Sequence, residues 1–309
     1  MTIAPTEQRI LANGLHHHVL LWEAGPSTHT VVLCHGFLDL GWSWHGVAQS
    51  LAAFGFRVVA FDWRGHGETD WVGSGGYYHF PDYLLDLHEL LPRIALGPVH
   101  LVGHSMGGTA CAFYAGATAA HASAGNAPRT PDAQEAHPPI TLASLSLIEG
   151  IGPPEHSAEH APDRAVAFLR TVEKVRRAKP RTMASIDDAI ARMRIQNPDL
   201  PPELGRFLAE KSTRARPSGA GFSWSFDPLH QTTSPMAFDL EVFLAFLKRI
   251  TIPVLIVRGS KGFRVPDEDS RVAALADHRT VELEGQGHMI HWFGAEVLSD
   301  VLAGFFASL

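Results

Sequence analysis

The chain has 309 residues and a mass of 33.6 kDa, and its 45% hydrophobic and 18% charged residues exclude disorder over the whole chain. Its net charge is −7 and its basic residues form no long run, which argues against a protein that follows nucleic-acid phosphates. No apolar stretch of about 18 residues could span a bilayer, and the N-terminus has no signal-peptide pattern, so we expect a cytoplasmic location.

Short apolar runs alternate with helical patterns through the first half of the chain. Strands are predicted over Leu15–Trp22, Thr30–Cys34, Arg57–Phe61, Val99–Val102 and Leu142–Ile148, and helices over Trp44–Phe54, Pro81–Leu91 and from Gly107 onward. This repeated order implies a mostly parallel central sheet covered by helices on both faces. The two cysteines, Cys34 and Cys111, lie in apolar or small-residue contexts, which favours buried free thiols.

The pattern changes after Glu149. Residues 151–237 hold many prolines, little strand and two or three helical stretches, of which Ala165–Ala178 and Ile186–Ile195 are the clearest. Alternation then returns, with strands at Pro253–Val257 and Thr280–Leu283 and helices at Leu240–Arg249, Asp267–Ala276 and Ile290–Leu309. We therefore predict a core formed by residues 1–150 and 238–309, a helical insertion at residues 151–237, and a polar surface loop at His121–Pro139.

The segment Gly103-His104-Ser105-Met106-Gly107 matches Gly-x-Ser-x-Gly between a predicted strand and a predicted helix. So tight a turn needs small residues two positions before and after the serine. It exposes the hydroxyl at the carboxyl edge of the sheet and aims the N–H of Met106 at a developing oxyanion. The alternative is a glycine-rich turn that merely contains serine. The flanking strand and small-residue helix favour Ser105 as a nucleophile.

A second feature, His35-Gly36-Phe37, follows the strand Thr30–Cys34. Glycine there permits a close backbone approach, and the N–H of Phe37 can be the second donor of an oxyanion hole. By itself the tripeptide is more typical of a plain strand-to-loop turn. In combination with Ser105, it predicts Phe37 and Met106 as the oxyanion-hole residues.

The third feature is Gly285-Gln286-Gly287-His288, which follows the last predicted strand. A histidine on this loop can reach the serine as general base. His291 is the competitor. The glycines before His288 indicate a constrained loop that presents its ring, whereas His291 is expected to pack at the start of the final helix.

No metal and no cofactor are expected from the sequence. Neither a His-Glu-x-x-His motif nor paired cysteine and histidine spacing occurs. His16, His17 and His18 are consecutive in a predicted strand, so their side chains point to alternate faces and do not converge on one ion.

Taken in chain order, the motifs resemble those of the α/β-hydrolase superfamily. They are His-Gly-Phe, the run Val-Val-Ala-Phe-Asp-Trp-Arg-Gly-His-Gly-Glu-Thr-Asp at 58–70, Gly-His-Ser-Met-Gly-Gly and the late Gly-Gln-Gly-His. The resemblance covers nearly the whole chain and implies the α/β-hydrolase fold, with residues 151–237 in the position of its cap. It implies structural roles for Asp62 and Arg64. The runs at 35–39 and 148–153 look like the serine hydrolase-like branch of the superfamily.

The sequence departs from this family at the acid of the triad. Most relatives have an aspartate in a Gly-x-x-Asp-x-x-Val-Pro pattern after the strand that corresponds to Pro253–Val257. Here the stretch 259–266 has Gly262 at that position. Three alternatives remain: Glu149 at the end of the preceding strand, Asp267 or Asp269 from the next helix, or no acid at all.

We predict that Glu149 is the acid. A carboxylate directly after a buried apolar strand is costly unless it is paired. An imidazole N–H from His288 would pair it and fix the useful tautomer of the ring. The alternative role for Glu149 is a helix-capping or salt-bridging carboxylate at the start of the insertion.

The expected activity is that of a serine hydrolase acting on small, apolar carboxylic esters through a Ser105–His288–Glu149 triad and an acyl-enzyme. Serine at this turn argues against epoxide hydrolysis or dehalogenation, for which relatives with this fold use aspartate. Carbon–carbon bond hydrolysis, cofactor-free perhydrolysis, slow-turnover ligand sensing and a silent scaffold are the alternatives. The expected partner is a small-molecule substrate, without nucleic acid, and the sequence specifies no oligomeric state.

Several aromatic residues are candidates for the walls of a substrate pocket, although aromatic side chains are more often plain core. They are Trp42, Trp44, Phe222, Trp224, Phe226 and Trp292.

Overall fold

The computed structural model describes residues 3–123, 140–178, 182–216, 219 and 221–309. Its centre is an eight-stranded sheet, accompanied by a separate two-stranded ribbon. In chain order the strands are β1 (Thr6–Ala12), β2 (Leu15–Trp22), β3 (Thr30–Cys34), β4 (Arg57–Phe61), β5 (Val99–His104), β6 (Leu142–Ile148), β7 (Thr213–Ala215), β8 (Phe222–Trp224), β9 (Val254–Gly259) and β10 (His278–Leu283). Strands β7 and β8 form the ribbon.

The large sheet has the order β1-β2-β4-β3-β5-β6-β9-β10. Strands β1, β2 and β4 pair antiparallel, and every pair from β4 to β10 is parallel. All residues of the central strands β3 and β5 are buried, as expected for strands covered on both faces. The carboxyl ends of β3, β5, β6 and β9 therefore lie next to one another along one edge of the sheet.

Ten helices lie in the described ranges. They are α1 (His45–Ala53), α2 (Phe80–Ile94), α3 (Met106–Ser123), α4 (Ala161–Arg177), α5 (Ile186–Gln196), α6 (Pro202–Lys211), α7 (Leu240–Leu247), α8 (Glu268–Ala273), α9 (Ile290–Phe293) and α10 (Ala295–Phe306). Those outside the segment between β6 and α7 cover the two faces of this sheet. One core cluster lies between the sheet and α2, α3 and α7, and a second lies between the sheet and α1 and α10. The mostly parallel α/β fold class predicted from the sequence is confirmed.

The structure adds details that the sequence did not predict. Strand β1 was missed, because its polar, mostly exposed residues form no apolar run and pair only along one edge with β2. The final helix, predicted as one, is divided into α9 and α10 at Gly294. The segment between β6 and α7 contains α4, α5 and α6 and also the β7–β8 ribbon. Of the predicted loop 121–139, residues 121–123 belong to α3 and the remainder lies outside the described residues.

Both cysteines, Cys34 and Cys111, are buried and free. Within the described ranges, no helix combines the length and apolar character needed to cross a membrane.

A buried imidazole joins the segment between β6 and α7 to the loops around β4. His230, in a short 3-10 turn at Pro228–Gln231, stacks on Tyr78 with ring centroids 3.8 Å apart, and the tilted ring of His66 lies 4.0 Å away. Its Nε2–H donates to the carbonyl oxygen of Arg64 at 3.1 Å. Burial lowers the pKa of His230 to about 3, so the ring is neutral in the folded protein.

We expect this neutral ring to make the fold sensitive to acid. An unfolded histidine has a pKa near 6.5, so between pH 6.5 and about 3 the unfolded state binds the extra proton and the free energy of unfolding falls as the pH decreases. The limit for one group is about 1.4 kcal/mol per pH unit. Urea denaturation of the wild type and of His230→Gln, between about pH 6.5 and about pH 4, measures this effect. The variant should show the shallower pH dependence, and equal slopes would exclude the effect.

Candidate active site

Ser105 occupies a strained turn between β5 and α3. Its φ is +51°, in the left-handed region that non-glycine residues rarely adopt. A Cβ at Gly103 would lie 2.6 Å from the backbone of Gly107, and one at Gly107 would lie 2.5 Å from the carbonyl oxygens of Cys34 and His35. Close backbone contacts therefore require glycine two positions before and after the serine, as the motif predicts.

His288 lies on the loop between β10 and α9, at the same edge of the sheet. Its Nε2 is 3.1 Å from the Oγ of Ser105, and its Nδ1 is 3.3 Å from Oε2 of Glu149. The imidazole is 41% exposed, whereas the Glu149 side chain is fully buried. A hydroxyl, an imidazole and a carboxylate thus form one chain of hydrogen bonds, an arrangement that can activate the hydroxyl as a nucleophile.

Glu149 follows β6 and, like Ser105, has a positive φ, of +50°. Its Oε1 accepts the N–H of Gly259 at 2.8 Å, and its Oε2 accepts the N–H of Phe263 at 3.0 Å. Burial by itself raises the pKa of Glu149, but the hydrogen bonds from His288 and these two amides outweigh it and hold the pKa below its ordinary value. The carboxylate is therefore charged where it meets the imidazole.

Gly262, at the position of the family's aspartate, lies directly beside the Glu149 carboxylate. A Cβ on Gly262 would lie 2.2 Å from Oε1 and 2.4 Å from Oε2 of Glu149. The carboxylate from β6 thus fills the volume in which a side chain at position 262 would begin. Glycine at 262 is what allows a carboxylate to reach His288 from the neighbouring strand.

We expect Gly262→Ala to reduce turnover, because the new methyl group must displace the Glu149 carboxylate from His288. A displacement of about 1 Å costs on the order of 10²-fold in rate. Steady-state hydrolysis of a p-nitrophenyl ester measures this change. Gly304→Ala is the matched control, since nothing lies within 4 Å of a Cβ added there. If Gly262→Ala kept the wild-type turnover, activity would not depend on the space beside position 262 that the Glu149 carboxylate fills.

The other two acids considered from the sequence have different surroundings. Asp267 pairs with Arg271 at 2.6 Å, and that buried guanidinium also donates to the carbonyl oxygens of Ile151 and Pro153. Asp267 therefore helps to hold the chain that follows Glu149. Asp269 is exposed on α8 and, among the described residues, makes no hydrogen bond or ion pair with His288.

The two predicted oxyanion donors are Met106, which follows the serine in the chain, and Phe37, which follows the glycine that packs against the serine. In the part of the chain that the structure describes, neither the N–H of Phe37 nor that of Met106 donates a hydrogen bond. The ring of His35 secures the first loop, because its Nδ1–H donates to the Gly36 carbonyl at 2.7 Å and its Nε2 accepts the N–H of Trp63 at 3.0 Å. Free amides of this kind can receive a developing oxyanion.

Gly36 lies against the nucleophile turn. A Cβ there would lie 2.8 Å from Nδ1 of His104 and 3.2 Å from Cβ of Ser105. The close backbone approach that the sequence predicts at this glycine is therefore a feature of the site.

His291, the competing histidine, lies in α9 and is 1% exposed. Its Nε2 is 2.9 Å from Oδ2 of Asp39. It stacks on Trp44 with ring centroids 4.6 Å apart. The structure brings His288, and not His291, to the Oγ of Ser105.

Asp62 and Arg64 have partners away from this site. The Asp62 carboxylate accepts the backbone N–H groups of Gly41 and Glu68, and Arg64 forms two hydrogen bonds with Asp86. Both therefore hold loops of the core.

The three consecutive histidines have separate surroundings. His16 is paired with Asp70, His17 lies near Asp86, and His18 lies between Glu7 and Asp62. The structure does not bring them together.

Five of the six aromatic residues proposed as pocket walls divide into two groups, and the sixth, Trp292, lies half-buried in α9. Trp42 and Trp44 are buried in the core cluster beside α1. Phe222 and Trp224 pack in a small cluster within the insertion, with Phe226 stacked on Trp224. The exposed rings of Phe37, which was predicted for its N–H only, and of Phe263, which was not predicted, were not among the proposed walls; they are 51% and 60% exposed.

The amide donors to Glu149, from Gly259 and Phe263, were also missed. Backbone donors leave no residue-type signal in a sequence, although the glycine at 262 marks the turn that presents one of them.

Comparison with known proteins agrees with this fold. A sequence model of the alpha/beta hydrolase fold family matches residues 29–295, and the chain belongs to that family.

Relatives of this chain carry several hydrolase names. It is 27% identical to epoxide hydrolase A of Mycobacterium tuberculosis, over 97% of this chain and 96% of that protein. It is 23% identical to the serine hydrolase-like protein of Danio rerio, over 91% of this chain and 82% of that protein. The solved thioesterase domain from the curacin biosynthetic pathway has a TM-score of 0.81 and 25% identity, over 97% of this chain and 99% of that one.

Some curated relatives match over a short segment only. Epoxide hydrolase 2 of Siraitia grosvenorii is 37% identical over 98 residues, which are 32% of this chain and 30% of that protein. Together these relatives show that the chain is similar to hydrolases, including the serine hydrolase-like group indicated by its motifs.

Proposed function

We propose that this protein is a serine hydrolase that cleaves small, apolar carboxylic esters through Ser105, His288 and Glu149. The observation that carries the proposal is the imidazole of His288, which lies 3.1 Å from the hydroxyl of Ser105 and 3.3 Å from the carboxylate of Glu149. The strained backbone of the serine and the buried, charged carboxylate support the same roles.

The reaction has two halves. Nε2 of His288 takes the proton of the Ser105 hydroxyl as its oxygen bonds to the ester carbonyl carbon, and the N–H groups of Phe37 and Met106 receive the oxyanion. The carbon–oxygen bond to the alcohol then breaks, and His288 gives its proton to that alcohol. Water, deprotonated by the same imidazole, cleaves the acyl-serine, releases the carboxylic acid and restores the hydroxyl.

Glu149 supports both halves. Its charge stabilises the imidazolium that forms twice in each cycle, and its hydrogen bond keeps the proton on Nδ1 so that Nε2 faces the serine.

An apolar substrate is favoured by the side chains around the site. Phe37, on the oxyanion loop, and Phe263, on the loop that binds the acid, are both more than half exposed. Exposed aromatic rings at two sides of a polar centre offer apolar contact area.

The choice of ester hydrolysis over epoxide opening rests on the nucleophile. The names of several relatives refer to epoxide hydrolysis. This chain has a serine at the turn, and a hydroxyl that forms an acyl-enzyme suits acyl transfer. The likeness to a thioesterase domain is consistent with acyl chemistry.

We also assign residues 151–237 as a cap over the site. Its turn at Pro228–Gln231 brings His230 to within 6.5 Å of the Phe37 ring, measured between centroids. The N–H of Asp227 donates to the carbonyl of Gly65 at 2.8 Å, which attaches the same segment to the core.

Labelling with a fluorophosphonate tests the function. We expect the wild type to be labelled at Ser105 and to hydrolyse p-nitrophenyl butyrate with many turnovers, and Ser105→Ala to lose both properties. Ser146→Ala, a buried serine within β6, is the control and should keep both. An unlabelled wild type, or hydrolysis that survives Ser105→Ala, would overturn the proposal.

A further inference from the structure

The residue before the nucleophile makes a direct contact with the loop that carries the base. His104 is the last residue of β5 and is 1% exposed. Its Nε2 lies 2.8 Å from the backbone carbonyl oxygen of His288. A carbonyl oxygen only accepts, so Nε2 carries the proton and donates it. One partly buried hydrogen bond therefore joins the nucleophile strand to the backbone of the base.

Two further hydrogen bonds join this loop to the turn after β9. The N–H of Gly285 donates to Oγ of Ser260 at 2.8 Å, and the N–H of Lys261 donates to the carbonyl of Gln286 at 2.9 Å. These contacts attach the loop to the turn after β9, on the side of the acid. His104 supplies the attachment on the side of Ser105.

His104 is itself held by its neighbours. Its ring lies 4.3 Å from that of His291 and 4.7 Å from that of His288, measured between centroids. His291 is fixed by Asp39, whose Oδ2 also accepts the hydroxyl of Ser43 at 2.9 Å. A side chain packed in this way has little conformational freedom, so its hydrogen bond can fix the position of the His288 backbone.

The charge state of this ring suits the reaction. Burial, followed by the neighbouring imidazoles of His291 and His288, holds the pKa of His104 well below its ordinary value. A neutral ring next to the base does not oppose the positive charge that His288 acquires in turnover.

We propose that His104 is a positioning residue that fixes the backbone of His288, so that Nε2 of the base stays within hydrogen-bond reach of Ser105. This inference rests on the proposed hydrolase function. His104 touches no reacting atom, and its effect passes through the His288 backbone. Loss of the bond should lower kcat by up to about 10²-fold, the cost of a misplacement near 1 Å, and leave KM within about twofold.

Two variants of nearly equal length separate the hydrogen bond from packing. His104→Gln retains an N–H donor, whereas His104→Met fills a similar volume without one. With p-nitrophenyl butyrate, we expect the kcat of His104→Met to be lower than that of the wild type. The kcat of His104→Gln should be at least tenfold higher than that of His104→Met. His100→Met is the control on the same strand, because His100 is also buried but bonds to Ser144 away from the site. It should keep the wild-type kcat.

A measurement on the wild-type protein tests the same inference and does not depend on whether the variants fold. In nitrogen-15 NMR spectra of histidine, His104 should be the neutral Nε2–H tautomer with a slowly exchanging proton. Equal kcat values for His104→Gln and His104→Met, an equal kcat loss in His100→Met, or an unprotonated Nε2 on His104 would overturn the inference. If hydrolysis survives Ser105→Ala, the proposed function fails. If hydrolysis needs Ser105 and the two His104 variants are equal, only the positioning role fails.

Discussion

Replacing Glu149 with glutamine is expected to reduce kcat by about 10⁴-fold, the scale of loss when the orienting carboxylate of a serine triad becomes an amide. Glutamine has nearly the same shape, and its single amide oxygen can replace only one of the two carboxylate oxygens that accept the N–H groups of Gly259 and Phe263. It carries no charge to stabilise the imidazolium of His288, and its NH₂ group favours the wrong tautomer of that ring. The loss should therefore appear in kcat, with the fold intact.

Asp269→Asn is the matched control for this experiment. Asp269 was a rival for the role of acid, and its exposed position on α8 makes the substitution mild for stability. Its hydrolysis rate should stay within about twofold of the wild type. A Glu149→Gln variant that keeps a near wild-type rate, or an Asp269→Asn variant that loses activity, would show that the acid has been assigned incorrectly.

Removing the base should have a larger effect. His288→Ala is expected to lower kcat by about 10⁶-fold, because nucleophile and base act as one unit and loss of either removes nearly the whole benefit of both. The imidazole is 41% exposed, so the change should cost little stability. Hydrolysis of p-nitrophenyl butyrate and the thermal midpoint, measured on the same preparation, separate the two effects.

His278→Ala controls for the loss of a histidine from the same part of the chain. His278 begins β10, the strand that leads to the base loop, and its ring bonds only to the carbonyl of Leu275 among the described residues. Its turnover should match the wild type. If His288→Ala retained a tenth of wild-type kcat, His288 would not be the general base.

The nucleophile turn could be read from the sequence because its geometry restricts residue types. Backbone atoms approach Gly103 and Gly107 to within 2.6 Å of a would-be Cβ, so only glycine fits, and the restriction appears as a short motif. His288 was predictable for a related reason, since chain order and a glycine-rich loop placed it at the same sheet edge as Ser105.

The position of the Glu149 carboxylate beside His288 was only partly predictable. Burial after an apolar strand pointed to Glu149, but three features that position it leave no mark on residue type: its φ of +50° and the N–H donors of Gly259 and Phe263. In the sequence, Gly262 showed only that the family's aspartate is missing. In the structure, the lack of a side chain at position 262 leaves the space that the Glu149 carboxylate occupies.

Aromatic residues were the least predictable part of the site. Trp42 and Trp44 have the composition of a pocket wall but lie in the core beside α1, whereas Phe37 and Phe263 are exposed at the site. Sequence does not distinguish these cases, because burial of an aromatic ring depends on tertiary packing and not on its neighbours in the chain.

The hydrolysis rate of Glu149→Gly/Gly262→Asp, compared with Glu149→Gly alone, tests most directly whether a carboxylate in that volume completes the triad. Glycine tolerates the positive φ at 149, and position 262 has no such backbone restriction. We predict that the hydrolysis rate of the single variant is about 10⁴-fold below that of the wild type. The rate of the double variant should be at least about tenfold above that of the single variant. A single variant with wild-type turnover, or a folded double variant no faster than the single, would contradict the account.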